Sequence, residues 1–182
     1  MKKLFYLLPF VLLLAACRND DDAPNPFDNE LALEIVTGLQ ARDANAAPVG
    51  QFGNPNTFTG EVDAFPNPAI GELRVQYYGA NNLQVKQYWI FAAPQNIDYA
   101  DVDYGLLLAN NTYSPDEVSD LTIEQTNTVN LSSFILNTDT FSPGYYRIFY
   151  LMSDETLLWD NIYVDPSATD YFSLLSEVSS QW

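Results

Sequence analysis

The sequence predicts a mainly β protein: an antiparallel β-sandwich with a short helical segment before it and a helix after it. Two observations predict this fold class. Several segments after residue 59 alternate apolar and polar residues with a period of two, and clusters of Asn, Gly and Pro separate them. Aromatic residues make up 14% of the 182 residues, a composition that suits pleated surfaces. The length fits one domain of ordinary size with attachments.

The first residues have the pattern of an export signal. Lys2 and Lys3 precede an apolar run, residues 4–16, which is shorter than the roughly 20 residues that span a bilayer. The run ends in Leu14-Ala15-Ala16-Cys17, which resembles the lipobox of bacterial lipoproteins. This resemblance implies cleavage before Cys17 and a lipid on its sulfur, which makes the membrane contact an anchor rather than a span. The alternative is an ordinary secretory signal with an incidental cysteine.

The residues after Cys17 predict a tether. Residues 18–26 are rich in Asp, Asn and Pro and have no apolar side chain larger than Ala, so they cannot bury a core. With its acidic residues soon after the Cys, this segment resembles lipoproteins of the Bacteroidota. In that group, acidic residues at this place are associated with export to the outer face of the outer membrane. That pattern has Lys before the acids, where this chain has Arg18. We expect outer-membrane residence and leave the periplasmic and cell-surface faces open. A merely solvated spacer is the alternative.

A short helix is predicted from Asp28 to Gln40, because Leu31, Ile35 and Leu39 fall on one helical face. A strand over 31–36 is the alternative, and 41–58 is expected to be a linker. The predicted segments in chain order are a signal peptide (1–16), an acidic tether (17–27), the short helix and linker (28–58), a β-sandwich (59–165) and a C-terminal helix (166–182).

Six or seven strands are expected in the sandwich. Two hairpins are predicted, the first from residues 73–78 and 83–91 around a turn at 79–82, the second from 145–152 and 156–164. Further strands are predicted at 104–109 and 121–131. Helical spacing returns at Tyr171, Leu174, Leu175 and Val178, which predicts a C-terminal amphipathic helix. We expect this helix to dock onto the sandwich, with partner binding as the alternative.

Part of the chain is similar to the C-terminal sorting domains of type IX secretion cargo. The similarity rests on Phe65-Pro66-Asn67-Pro68-Ala69 with the strand after it, on Val129-Asn130-Leu131-Ser132-Ser133, and on Pro143-Gly144-Tyr145. It implies an Ig-like sandwich. A sorting domain lies at the extreme C-terminus and normally follows no lipid anchor, whereas this chain continues past the match and has its own lipobox. We therefore transfer the fold and not the sorting role.

Composition excludes several kinds of chemistry. The chain has no His and a single Cys, which excludes Ser-His-Asp nucleophiles, His-ligated metals, intrachain disulfides and iron–sulfur sites. The net charge of −17 argues against nucleic acid as a partner. Neither a Gly-x-Ser-x-Gly elbow nor a phosphate-binding or dinucleotide-binding glycine motif is present. We expect a protein without enzymatic activity and without a cofactor other than its covalent lipid.

The sequence offers two candidate binding sites. Asp98, Asp101 and Asp103 precede Gly105 and offer oxygen ligands for Ca²⁺, although their spacing is not that of an EF-hand, and a solvated acidic loop is the alternative. The aromatic residues, among them Tyr77, Tyr88 and Trp89, offer a stacking platform for sugar rings, with core packing as the alternative.

The sequence thus predicts a lipid-anchored lipoprotein of the cell envelope that acts as a non-enzymatic binding or structural accessory module. Two more specific roles are kept as alternatives. The first is a surface glycan-binding protein that uses exposed aromatic residues. The second is an assembly partner of an outer-membrane complex that uses the tail helix or an exposed strand edge.

Overall fold

A computed structural model describes residues 35–55, 61–99, 114–121 and 124–182 of the chain, and these residues form mainly antiparallel strands. The expectation of a mainly β, antiparallel fold is therefore confirmed. The strands are β1 (Gly38–Arg42), β2 (Pro48–Gly53), β3 (Val62–Ile70), β4 (Glu72–Tyr77), β5 (Val85–Ala92), β6 (Gln125–Leu131), β7 (Ser133–Asn137), β8 (Gly144–Met152) and β9 (Leu157–Val164). The helices are a 3₁₀ turn (Ile97–Tyr99), α1 (Pro115–Ser119) and α2 (Tyr171–Ser179).

The central sheet has the order β9-β8-β5-β6, and both of its faces are buried along β8. Successive residues of β8 enter different cores: Tyr145 and Phe149 lie in one, while Ile148 and Tyr150 lie in the other. Strands β8 and β9 form the hairpin predicted around Ser153. Because the side chains on both faces of β8 are buried in a core, the sequence of β8 is apolar at nearly every position rather than at alternate ones.

A second sheet, β3-β4-β7, covers one face of the central sheet. This pair of packed sheets is compatible with the predicted β-sandwich. The first predicted hairpin is wrong, because β4 pairs with β3 and β7, whereas β5 pairs with β6 and β8. Residues 78–84 carry the chain from one sheet to the other. Alternation identified both strands correctly, but it does not specify which strands pair.

Strand β3 links the sheets of the molecule. Its first residues pair with β4, Asn67 pairs with Arg42 of β1, and Ala69 pairs in parallel with Val164 of β9. Pro66 and Pro68, which lack backbone donors, lie at this change of partner, and each follows a cis peptide bond. The Pro-Asn-Pro segment thus lies where β3 changes from one neighbour to the next.

The prediction for the N-terminal part is wrong where the structure describes it. The helix expected through Gln40 gives way to β1, and the expected linker contains β2, which pairs with β1. Leu39 and Ala41 are fully buried at a spacing of two, as in a strand. Gly38 is required here because a Cβ would lie 2.2 Å from the carbonyl carbon of Asn54.

The other face of the central sheet is covered by residues 35–39 and by the helices. Val118 of α1 and Leu174 and Val178 of α2 are buried against it. Helix α2 lies within the segment 166–182 that was expected to be helical, and Asp170 caps it by accepting a hydrogen bond from the Ser173 N–H. Among the helices of these ranges, none is long and apolar enough to cross a bilayer.

Candidate binding surface and buried polar cluster

The predicted lipid and calcium sites are largely untested by the structure. Cys17, Asp101 and Asp103 lie outside the described residues. Asp98 is exposed on the 3₁₀ turn. In the part of the chain that is described, no three His, Cys, Asp or Glu side chains lie close enough together to hold a metal ion. The calcium site stays a prediction.

The three aromatic residues predicted to stack on sugar rings lie in the cores instead. Tyr77 is 8% exposed, and Tyr88 and Trp89 are each 3% exposed. Tyr88 stacks on Phe134 at a centroid distance of 5.4 Å, and its hydroxyl accepts a hydrogen bond from Gln125 Nε2 at 3.1 Å. These three side chains do not form an exposed platform. Tyr88 and Trp89 are neighbours in β5 and point into opposite cores, and Tyr77 lies on the side of β4 that packs against the central sheet.

A cluster of charged groups lies under the junction of β1, β3 and β9. Arg42 Nη2 is 2.6 Å from Asp63 Oδ1, and Arg42 Nη1 is 3.7 Å from Asp160 Oδ2. The backbone N–H groups of Ala64 and Asn161 donate to the two oxygens of Asp160 at 3.1 and 2.8 Å. One guanidinium therefore faces two carboxylates, and one of these, Asp160, is almost entirely buried.

Burial sets the protonation of this cluster. Loss of solvent raises the pKa of Asp160 to about 6, although Arg42 and the backbone donors act in the opposite direction. Burial also raises the pKa of Asp63, against the lowering effect of Arg42. The pKa of the fully buried Tyr150 hydroxyl lies well above its usual value, first because of burial and then because of Asp160. The cluster therefore binds a proton more readily than exposed carboxylates do.

Two buried asparagines extend this cluster into a network. Asn161 Nδ2 donates to the carbonyl oxygens of Gly38 and Pro55, at 3.0 and 2.6 Å. Asn67 Nδ2 donates to the carbonyls of Gln40 and Asn161, and its Oδ1 accepts from the Tyr163 N–H at 3.1 Å. These bonds join the N-terminal hairpin to β3 and β9.

Sequence reasoning did not select Arg42, Asp160 or Asn161 as important residues. One signal was available, because β9 reads Leu-Leu-Trp-Asp-Asn-Ile-Tyr-Val, with two adjacent polar residues inside an apolar strand. Buried polar groups require partners, so such a pair predicts a hydrogen-bonded network. The groups of this network bond to one another and to the backbone, so the network joins separate strands of the fold.

The accessible candidate surface is the outer face of the β3-β4-β7 sheet, which we call the outer face. Phe65, Arg74 and Ile135 are neighbours in register across its three strands. Phe65 is buried, whereas Ile135 is 60% exposed. An open depression lies here; its lining residues are Ala44, Phe65, Pro66, Glu72, Leu73, Arg74 and Ile135.

Arg74 supplies this surface with a positive charge that no described carboxylate neutralises in an ion pair. Arg42 pairs with Asp63, Lys86 pairs with Glu155, and Arg147 is buried with hydrogen bonds to Asn161 and to the carbonyl of Ile35. Arg74 is exposed and forms no ion pair within the described ranges. The outer face thus combines apolar side chains with a guanidinium in an otherwise acidic protein.

Comparisons with protein-family models, with curated proteins and with solved structures find no match for this chain.

Proposed function

We propose that this chain is a lipid-anchored lipoprotein of the outer membrane whose folded part is a non-enzymatic binding or structural accessory module. The observation that carries the proposal is the order of the N-terminal features: Lys2 and Lys3, an apolar run, the lipobox at Leu14–Cys17 and the acidic tether. Acyl chains on Cys17 provide the anchor. The Ig-like character of the sandwich, which the similarity to sorting domains implies, is part of this proposal.

The non-enzymatic role is supported by where the carboxylates with raised pKa values lie. Asp160 is 2% exposed, and Arg42, with the N–H groups of Ala64 and Asn161, faces its oxygens. A carboxylate buried in this way offers a substrate no access. The complete lack of His in the chain agrees with this reading.

The anchor is tested by following Cys17 itself. Cells that express the full chain are given a labelled fatty acid, and we expect the label on the wild-type protein and on Arg18→Ala, with both in the membrane fraction. Cys17→Ala is expected to carry no label and to leave that fraction. Label on Cys17→Ala, or an unlabelled wild type, would overturn the anchor. Protease treatment of intact cells then distinguishes the cell-surface face from the periplasmic face.

A role as an assembly partner is the second candidate, and the exposed Ile135 on the outer face favours it. The glycan-binding alternative has less support, because Tyr77, Tyr88 and Trp89 are buried. Tyr78 and Phe172 are the large aromatic side chains that are exposed among the described residues, and they belong to different parts of the fold, the end of β4 and helix α2. Titration of the protein with a polysaccharide panel, with Tyr78→Ala as the variant, tests that alternative.

A further inference from the structure

Within the part of the chain that the structure describes, strand β7 has one paired edge and one edge without a partner. Its paired edge contacts β4, and among the described strands β7 has no other partner. The Thr138 N–H donates to the Gly71 carbonyl, and the Tyr77 N–H donates to the Ser132 carbonyl. Because backbone groups alternate in direction along an antiparallel strand, even-numbered residues of β7 bond to β4. The N–H and C=O groups of Ser133, Ile135 and Asn137 therefore point away from β4.

This edge lacks the features that usually prevent strands from pairing between molecules. Charged side chains, prolines and bulges are the common protections. Strand β7 has none of them, since its register with β4 is unbroken from Asn137 to Ser133. No charged residue occurs anywhere from Gln125 to Thr138, in a chain of which 17% is charged. The edge strand β2, by contrast, carries Pro48 and a register shift.

We propose that β7 pairs with β7 of a second copy of this chain, antiparallel, around a two-fold axis at Ile135. In this register Ile135 lies opposite Ile135 of the second copy, and Ser133 lies opposite Asn137. Each of these pairs exchanges two backbone hydrogen bonds. The β3-β4-β7 sheets of the two copies join into one continuous sheet of six strands, β3-β4-β7-β7-β4-β3.

The charges explain why the occupant is a second copy. A chain of net charge −17 repels another copy at most surfaces, but the charge-free stretch around β7 brings no carboxylates together. The two Arg74 side chains lie three strand spacings apart, about 14 Å, which exceeds the Debye length of about 8 Å at physiological ionic strength. Ile135, which is 60% exposed in the single chain, packs against its own symmetry mate.

This pairing specifies the partner for the assembly role that is our second candidate function. It rests on the described strands and not on the lipid anchor, so loss of the anchor and loss of pairing are separate results. A five-residue strand edge buries little surface, so the dimer is weak in solution. Attachment of both copies to one membrane raises their effective concentration and favours the pair.

The register is tested by disulfide cross-linking of the full chain in membranes. Ile135→Cys places two thiols on the axis, with Cα atoms about 5.5 Å apart, within the range for a disulfide. We expect strong dimer formation under oxidising conditions, above the level that the wild type gives. Ser133→Cys alone is expected to give little, because its copies lie about 13 Å apart. The double variant Ser133→Cys with Asn137→Cys restores the cross-link.

The energetic role of the edge is tested by sedimentation of the purified full chain in detergent over a range of concentrations. Ile135→Lys is expected to weaken dimerisation at least tenfold. Ile97→Lys is the matched control, because Ile97 is 58% exposed and lies outside the strands, and it is expected to leave dimerisation unchanged. Three results would overturn the proposal: a monomer at every concentration, equal effects of the two lysine variants, or cross-linking of Ile135→Cys no greater than that of Ile97→Cys.

Discussion

Arg147 and Asn161 face each other across the β8–β9 ladder, and Arg147 Nε donates to Asn161 Oδ1 at 3.0 Å. Both side chains are buried. Arg147 Nη2 also donates a hydrogen bond to the carbonyl of Ile35, and Asn161 Nδ2 donates to the carbonyls of Gly38 and Pro55. One cross-strand contact in the central sheet therefore holds both ends of the N-terminal hairpin.

Asn161→Ala is expected to lower the free energy of unfolding by about 3 kcal/mol, because buried groups on Arg147, Gly38 and Pro55 lose partners at the same time. Chemical denaturation measures this change. Asn127→Ala, at an exposed position of β6, is the control and is expected to stay within about 0.5 kcal/mol of wild type. Equal effects of the two variants would show that the network contributes little to stability.

The buried Asp160 is expected to make the protein less stable as the pH rises from about 4 to about 6. Its pKa of about 6 in the folded chain lies above the usual value of 3.8, so the folded state binds more protons than the unfolded state in this window. The loss amounts to about 2 to 3 kcal/mol and is complete above the folded-state pKa. Denaturation at a series of pH values measures it.

Asp160→Asn is expected to flatten this pH dependence, because the residue no longer titrates. Asp98→Asn, an exposed residue with the same change in charge, is expected to retain the wild-type slope. Weaker repulsion within the acidic chain at low pH affects all three proteins alike, so the difference between their slopes isolates Asp160. An unchanged slope in Asp160→Asn would contradict the assignment.

Asn67→Asp is expected to destabilise the fold by about 3 kcal/mol or more at neutral pH. The change removes the two donors to Gln40 and Asn161 and brings a carboxylate against both carbonyl oxygens. Acidification returns part of the loss, because a protonated carboxyl donates one hydrogen bond. Denaturation at pH 5 and pH 7.5 tests both statements. Asn45→Asp, in the exposed turn after β1, is the matched control and is expected to have little effect.

The sequence predicted the second half of the fold better than the first half. Residues 144–164 consist of two segments that are apolar at both odd and even positions, with a short polar turn between them. The β8–β9 hairpin is therefore a local property of that segment. The apolar positions up to Leu39 fit a helix and a buried strand equally well. The strand conformation at β1 depends on hydrogen bonds to the carbonyls of Ile35 and Gly38 from Arg147 and Asn161, more than 100 residues further along the chain.

The candidate sites show the same limit. Tyr77 and Trp89 have the alternation of surface strands. Trp89 is a core residue because both faces of the central sheet are covered at β5, and Tyr77 is one because its side of β4 packs against the central sheet. The free edge of β7 was more accessible to sequence reasoning, because a stretch without charge stands out in an acidic chain. Which backbone groups of β7 point away from β4 depends on which residues bond to β4, and no local sequence pattern determines this.

Helix α2 provides a prediction about which of its faces stabilises the protein. Leu174 is 2% exposed against the central sheet, whereas Phe172, two residues earlier, is 72% exposed. Leu174→Ala is expected to lower the free energy of unfolding by about 3 kcal/mol, because it removes buried methyl groups and leaves a cavity. Phe172→Ala is expected to change it by less than about 0.5 kcal/mol, since its ring contacts mainly solvent and Tyr171.

Urea denaturation of the two variants and the wild type at one pH measures this difference between the two faces of α2. A large loss in Leu174→Ala together with an unchanged Phe172→Ala supports docking of the helix as its structural role. A loss in Phe172→Ala as large as that in Leu174→Ala would contradict this, because it would require the exposed ring to contact folded protein. Since dimerisation also stabilises folded chains, both measurements are made in the Ile135→Lys background, in which the β7 edge is blocked.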